Sequence, residues 1–231
     1  MIELDGVVLL TDPLLRRRVA HLRRDAAVEL SDLPAPDAAL VSHAHMDHMD
    51  VPSLVAQGRG LPLIVPRGTA RTLTRRGFGD VAELVAGQSR AVGPLTVTAT
   101  AADHHVRRLP LAAVTPALGY VIAGTRRVYF AGDTGLFQGP GEAERADVAL
   151  LPVSGWGARL PPGHMSPLDA ARALALLAPK VAIPIHWGTY APLHHAAAGD
   201  GPATEFAGHA ERLAPDVRVE LLEIGGSYEP A

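Results

Sequence analysis

The stretch 41–50 constrains this chain more than any other: Val41-Ser42-His43-Ala44-His45-Met46-Asp47-His48-Met49-Asp50 sets three histidines and an aspartate within six residues, directly after an apolar run. Core packing alone does not call for such a cluster. Ala38-Ala39-Leu40-Val41 reads as a short buried strand, so the histidines begin where the chain leaves a sheet and the backbone is free to turn. In extended geometry His43 and His45 point to the same side, because side chains alternate with period two, and two imidazoles on one side can grip one ion. Asp47 and His48 follow the strand end, where a turn can aim them at a second position. The spacing His-x-His-x-Asp-His therefore reads as half of a two-metal site.

Other ligand-type side chains recur at predicted strand ends. Residues 95–101 alternate Thr with apolar residues, as a half-exposed strand does, and lead into Asp103-His104-His105. Apolar runs at 117–123 and 127–131 flank Gly124-Thr125-Arg126 as a hairpin whose end carries Gly132-Asp133-Thr134-Gly135. A strand at 180–185 ends in His186-Trp187-Gly188. Ser166-Pro167 has the form of an N-cap followed by proline at the first helical position, opening a helix to 178, and His164 stands just before it. Ligand-type side chains at several strand ends converge if those ends share one rim of a rigid scaffold.

The remaining elements fall between these points. Asp5-Gly6, a pair favoured in two-residue turns, joins strands at 2–4 and 7–10. Helices are expected at 51–57, at 68–76 before Gly77, at 142–146 and at 204–213; strands are expected at 61–65, 81–85, 148–153 and 217–222. Two strand-rich blocks closed by helices result, with no linker or repeat between them, so 1–231 is expected to be one domain. Asp12 in Thr11-Asp12-Pro13 reads equally well as a turn residue before proline and as a support for the metal ligands. The run Arg16, Arg17, Arg18, Arg23 and Arg24 reads as a solvated face, with a phosphate contact as the alternative.

Composition narrows the chemistry. Cysteine is absent from the 231 residues, which removes disulfides, thiolate nucleophiles and Cys-bound zinc and leaves imidazoles and carboxylates as ligands. A net charge of -3 argues against a global nucleic-acid field, and 4% aromatics leaves few rings for base stacking. No signal-peptide pattern or membrane-length apolar run is present, so a cytoplasmic location is expected. Homo-oligomerisation stays open.

The hexad His43-Ala44-His45-Met46-Asp47-His48 resembles the signature of the metallo-β-lactamase-fold hydrolases. Three later segments are similar to the branch containing the L-ascorbate-6-phosphate lactonases and the N-acyl phosphatidylethanolamine phospholipase D enzymes: 101–108, Gly163-His164-Met165-Ser166-Pro167, and Ile183-Pro184-Ile185-His186-Trp187-Gly188-Thr189. The resemblance covers nearly the whole chain and implies an α/β fold, the four-layer αββα sandwich.

It further implies one metal held by His43, His45 and His104, a second by Asp47, His48 and His186, and Asp133 bridging them. Two divalent ions, zinc in the first place with manganese or iron as alternatives, would hold a bridging hydroxide for hydrolysis. In the branch a His is followed four residues later by Arg, which selects His104 over His105 and makes Arg108 an anion contact. An aromatic residue usually follows that His, and here His105 stands instead. His164 is expected to bind the substrate's anionic group or protonate the leaving group, with a helix-capping role as the alternative. Trp156 in Ser154-Gly155-Trp156-Gly157 is expected to shape the pocket, whereas His194, His195 and His209 read as surface residues.

The expected function is thus hydrolysis of a small anionic ester, lactone or phosphodiester, with Asp47 and His164 at the catalytic centre. A lipid or nucleic-acid phosphodiesterase and a non-catalytic metal-dependent binding domain are the alternatives.

Overall fold

The computed structural model describes residues 1–24, 34–104, 106, 114–136, 143, 146–153, 160–193 and 199–230. The chain opens with the hairpin β1 (Ile2–Leu4) and β2 (Val7–Thr11), in which Asp5 and Gly6 both take positive φ, 51° and 75°. That pair of left-handed residues is what a tight two-residue turn between twisted strands requires. Two short strands, β3 (Arg18–Val19) and β4 (Leu22–Arg24), precede β5 (Ala38–Leu40), and α1 (Val51–Ala56), β6 (Leu63–Pro66), α2 (Ala70–Thr74) and β7 (Val81–Leu84) complete the first half.

The second half runs through β8 (Ser89–Val92), β9 (Leu95–Ala101), β10 (Leu118–Ala123), β11 (Arg127–Phe130), β12 (Val148–Pro152), α3 (Pro167–Leu177), β13 (Val181–Ile185), β14 (Tyr190–Pro192), α4 (Gly201–Leu213) and β15 (Arg218–Val219).

One sheet has the order β1-β2-β5-β6-β7 and the other β15-β13-β12-β11-β10-β9-β8. Alternation along the strands builds four layers. Leu9, Leu40 and Ile64 of the first sheet share a buried core with Val97, Leu118, Tyr120, Ile122, Phe130 and Ile183 of the second. Their neighbours in sequence, Leu10, Ala39, Val41, Leu63 and Val65, face the other way and pack on Leu54 of α1 and Leu73 of α2. On the far side, Val121, Tyr129, Ala149, Leu151 and Ala182 pack against Ala170, Leu174 and Leu177 of α3 and Phe206 and Ala210 of α4. The architecture is the αββα sandwich expected from the resemblance.

Ser166 caps α3, its Oγ accepting from Asp169 N at 3.2 Å, with Pro167 following as expected. Helix α4 begins at Gly201, ahead of the expected 204, because Pro202 suits a first helical turn. The last strand is cut to Arg218–Val219, which pairs with Val181 and Ala182. The helix expected at 142–146 falls mostly outside the described residues. Among the described residues no helix is long and apolar enough to cross a membrane.

Strands β2, β5, β6 and β7 run parallel, as do β11, β12, β13 and β15, and β9 shares their direction because β10 opposes both β9 and β11. The two sheets are stitched where β5 ends: the buried Tyr120 hydroxyl donates to Val41 O at 2.7 Å, and Leu118 N donates to Ser42 O at 2.8 Å.

Tyr120→Phe keeps the ring and removes the only hydrogen bond that Tyr120 donates to the end of β5. It is expected to cost about 1–3 kcal/mol, the usual penalty for stranding a buried acceptor, read as a lower denaturation midpoint in urea.

Candidate metal centre

The carboxyl ends of β2, β5, β9, β11 and β13 deliver Asp12, the hexad, His104, Asp133 and His186 to one rim. The residues arriving there are largely buried: His43 is 0% exposed, Asp133 3%, His48 5% and His104 7%. Gly132 makes the approach of Asp133 feasible. Its φ is 61°, and a Cβ there would lie 2.5 Å from Ser42 Cβ.

Among the described residues four overlapping groups of three donors stand close enough to hold an ion: His43, His45 and His104; Asp47, His48 and His186; Asp12, His43 and His48; and His104, Asp133 and His164; the first two share no residue. In the first, His45 Nδ1 lies 3.0 Å from His43 Nε2 and 3.2 Å from His104 Nε2. Ligands about 2.0–2.1 Å from a tetrahedral ion stand about 3.3 Å apart, so the spacing suits a small divalent cation. In the second, His48 Nε2 is 3.8 Å from Asp47 Oδ2. The Asp133 carboxylate lies between these two groups, its Oδ2 3.2 Å from His48 Nε2 and 4.0 Å from His43 Nε2, its Oδ1 3.4 Å from His186 Nε2. Asp133 Oδ1 is buried and has no hydrogen-bond partner among the described residues, as an oxygen reserved for a cation would be. The donors present therefore fit divalent metal, and imidazoles with carboxylates suit zinc, manganese or iron.

His164 joins the same rim. Its Nε2 is 3.3 Å from Asp133 Oδ2 while Nδ1 lies 3.2 Å from Pro161 O, and its ring packs edge-on against His104 at 4.7 Å between centroids. His104 is turned by a hydrogen bond from Nδ1 to Gly163 O at 2.9 Å, which aims Nε2 at the other histidines. His186 carries φ 65°, a strained value for a non-glycine residue and a frequent mark of functional positions.

The electrostatics divide the histidines. Burial drives His43 well below the ordinary imidazole value, with the nearby His48 adding to the effect, and burial likewise lowers His45 and His186. It takes His104 down to about 4 in spite of Asp133. These four are neutral imidazoles with lone pairs to offer. At His48 burial acts in the same direction, but Asp133 and Asp12 outweigh it and raise the group well above the ordinary value. His164 is raised too, its burial overcome by the hydrogen bond and charge of Asp133. Asp133 itself is buried, which disfavours its charge, yet His186, His48 and His164 hold it well below the usual carboxylate range.

The rim thus gathers all seven expected ligand positions and His164. Arg108, Trp156, His105, His194 and His195 lie outside the described residues. His209 stands apart on α4, beside Glu205 at 3.4 Å and Arg212 at 2.8 Å. Sequence reasoning left Asp12 open and passed over Ser42. Asp12 Oδ2 contacts His48 Nδ1 at 2.7 Å, so it stands behind the site and not only in a turn. The arginine run is not simply a solvated face either: Arg16 forms a two-point pair with the buried Asp50, at 2.9 and 2.5 Å, because it must compensate a carboxylate that caps α1.

A family model described as the Beta-lactamase superfamily domain matches residues 8–187. A UPF0173 metal-dependent hydrolase of Methanopyrus kandleri is 35% identical over 236 residues, covering 99% of this chain and 94% of that protein. An uncharacterized protein of Mycobacterium tuberculosis is 32% identical over 82% of this chain, which spans only 56% of its length. Among solved structures, Igni18, a metallo hydrolase from Ignicoccus hospitalis, superposes with a TM-score of 0.72 at 26% identity, covering 99% of this chain and 94% of its own. The chain belongs to the beta-lactamase superfamily, in the UPF0173 family.

A pH dependence follows for the metal-free protein. Between the ordinary imidazole value of 6.5 and about 4, the unfolded chain binds protons that folded His104 refuses. His43, His45 and His186 act in the same direction, so stability falls as pH falls through that window. His48 and His164 are raised, so their contribution is present below 6.5 and is lost as pH rises through their folded values. Stability is expected to peak near the ordinary imidazole value, and urea midpoints measured across pH check it; a midpoint flat between 4 and 6.5 would contradict this burial of neutral imidazoles.

Proposed function

We propose that this protein is a dinuclear metal-dependent hydrolase of small anionic substrates, a lactone or a phosphodiester. The observation that carries this reading is the pair of donor groups, His43/His45/His104 and Asp47/His48/His186, on either side of the buried Asp133 carboxylate. The names of two relatives support the class: the Methanopyrus protein is called a metal-dependent hydrolase and Igni18 a metallo hydrolase. The branch with the sugar-acid lactonases and the phospholipase D enzymes is part of this proposal.

In this reading His43, His45 and His104 would hold one ion and Asp47, His48 and His186 the other, with the Asp133 carboxylate available between the two groups. Divalent ions bound there, zinc in the first place, would supply Lewis acidity and lower the pKa of water toward neutrality. The chain provides the rest. His43, His45, His104 and His186, kept neutral by burial, offer lone pairs without a competing proton, whereas an ion at His48 must displace the proton that Asp133 and Asp12 favour there. His164 points Nε2 into the rim, where it can steady an anionic group or pass a proton to the leaving oxygen. Arg108 and Trp156 complete the proposed substrate contacts.

The test measures initial rates of zinc- or manganese-loaded protein on an activated phosphodiester, on acylated glycerophosphodiesters and on sugar-derived lactones. His48→Ala is expected to lower bound metal and to reduce the rate beyond the roughly 10–100-fold that loss of an outer-shell partner costs, whereas His209→Ala leaves both unchanged. Equal behaviour of the two variants would place the site elsewhere. Two bound metals with no turnover on any substrate would favour a binding domain.

A further inference from the structure

Behind the rim, one carboxylate reaches both donor groups. Asp12 Oδ1 accepts from Ser42 N at 2.6 Å, while Oδ2 meets Ser42 Oγ at 2.5 Å and His48 Nδ1 at 2.7 Å. Ser42 Oγ in turn lies 2.9 Å from His43 Nδ1. The chain of contacts is thus His48, Asp12, Ser42, His43; its ends belong to the two groups that share no residue, and Asp12 stands close enough to His43 and His48 to form a third group with them.

Proton bookkeeping gives this chain a direction. A carboxylate only accepts, so both groups facing Oδ2 must donate: the Ser42 hydroxyl and His48 Nδ1–H. The serine hydroxyl has one proton, and it is committed to Asp12. Toward His43 it presents only a lone pair, so His43 Nδ1 must carry the proton that joins them. With Nδ1 protonated on both rings, Nε2 of each is the nitrogen facing Asp133. Asp12 is also placed deliberately: it adopts φ 43°, and its own N–H donates to Leu40 O at 2.9 Å, which fixes it at the seam of β2 and β5.

We propose that Asp12 is a positioning residue that sets the tautomer of a ligand in each half of the metal centre, directly at His48 and through Ser42 at His43. Its role rests on the two-metal reading only for the consequence in metal binding; the proton arrangement itself belongs to the metal-free chain.

The two links differ in what they predict. Asp12→Asn keeps the shape and reverses the polarity. Its amide oxygen must stay on Ser42 N–H, so its NH2 faces Ser42 Oγ and His48 Nδ1 as a donor. His48 then carries its proton on Nε2, and the serine hydroxyl, now accepting, turns its proton to His43 Nδ1 and inverts that ring as well. Ser42→Ala cuts only the branch to His43. Ser42→Thr keeps the hydroxyl and both links.

The experiment records long-range proton–nitrogen spectra of histidine-labelled, metal-free protein at alkaline pH, alongside calorimetric titration with zinc. Wild type and Ser42→Thr should show Nδ1–H on His43 and His48 and two binding events. Ser42→Ala should lose the Nδ1–H preference at His43 alone and weaken one event by about 10–100-fold; Asp12→Asn should invert both rings and weaken both events by about that factor each. Nδ1–H retained on both rings in Asp12→Asn, or equal effects of Ser42→Ala on the two rings, would overturn the proposal. Should Asp12→Asn fail to fold, the Ser42 pair still decides it. Wild-type protein that shows both Nδ1–H signals and binds no zinc would sink the two-metal function and leave the tautomer relay standing.

Discussion

A carboxylate buried to the extent of Asp133 carries a desolvation cost of several kcal/mol unless charge or hydrogen bonds answer it, and here the answer comes from imidazoles. His48 and His43 come from the loop after β5, His164 from the approach to α3, His186 from the end of β13. Both sheets must therefore present their carboxyl ends at one place. The tight turn at Gly132 and the stitch from Tyr120 to Val41 serve the same requirement, holding the ends of β10 and β11 close against the end of β5.

A second arrangement secures the outer side of the rim. The small sheet β14-β4-β3 joins the chain just past His186 to the segment just past Asp12. Tyr190 is its hub: the phenol donates to Arg16 O at 2.6 Å and accepts from Arg24 Nε and Nη2 at 3.1 and 3.0 Å. Arg16 then reaches Asp50, two residues past His48. The loops bearing His48 and His186 are thereby held to a common bracket built largely from arginines. Their charge is used locally, on a phenol, on backbone carbonyls and on a helix cap.

The parts legible from sequence were those governed by local rules. Period-two alternation marked 95–101 as a strand to the residue, Asp5-Gly6 marked a turn, Ser166-Pro167 marked a helix start, and the hexad announced metal-type chemistry. The bracket was not legible. Its strands are two or three residues long, and although β3 and β4 pair locally, β4 is completed by a strand from the far end of the chain, Arg24 facing Tyr190. Strand β8 was missed for a related reason, since Ser89-Arg90-Ala91-Val92 has no apolar stripe and owes its form to pairing with β9. Ser42 was passed over because a serine beside histidines has no distinguishing pattern; only its position between Asp12 and His43 reveals what it touches.

The topology also imposes an order on assembly in time. Asp12, the hexad and His104 all precede the middle of the chain, whereas Asp133 and His186 arrive late, His186 on a strand that can pair only after β12 exists. During synthesis, at about 5–20 residues per second, the three-histidine group is complete some seconds before the aspartate–histidine group can close. A nascent chain would thus present the three histidines while the sheet that carries Asp133 is still uncovered. The late strand β13 acts as a timer: the ribosome must deliver most of the polypeptide before the Asp133 carboxylate meets its full set of imidazoles.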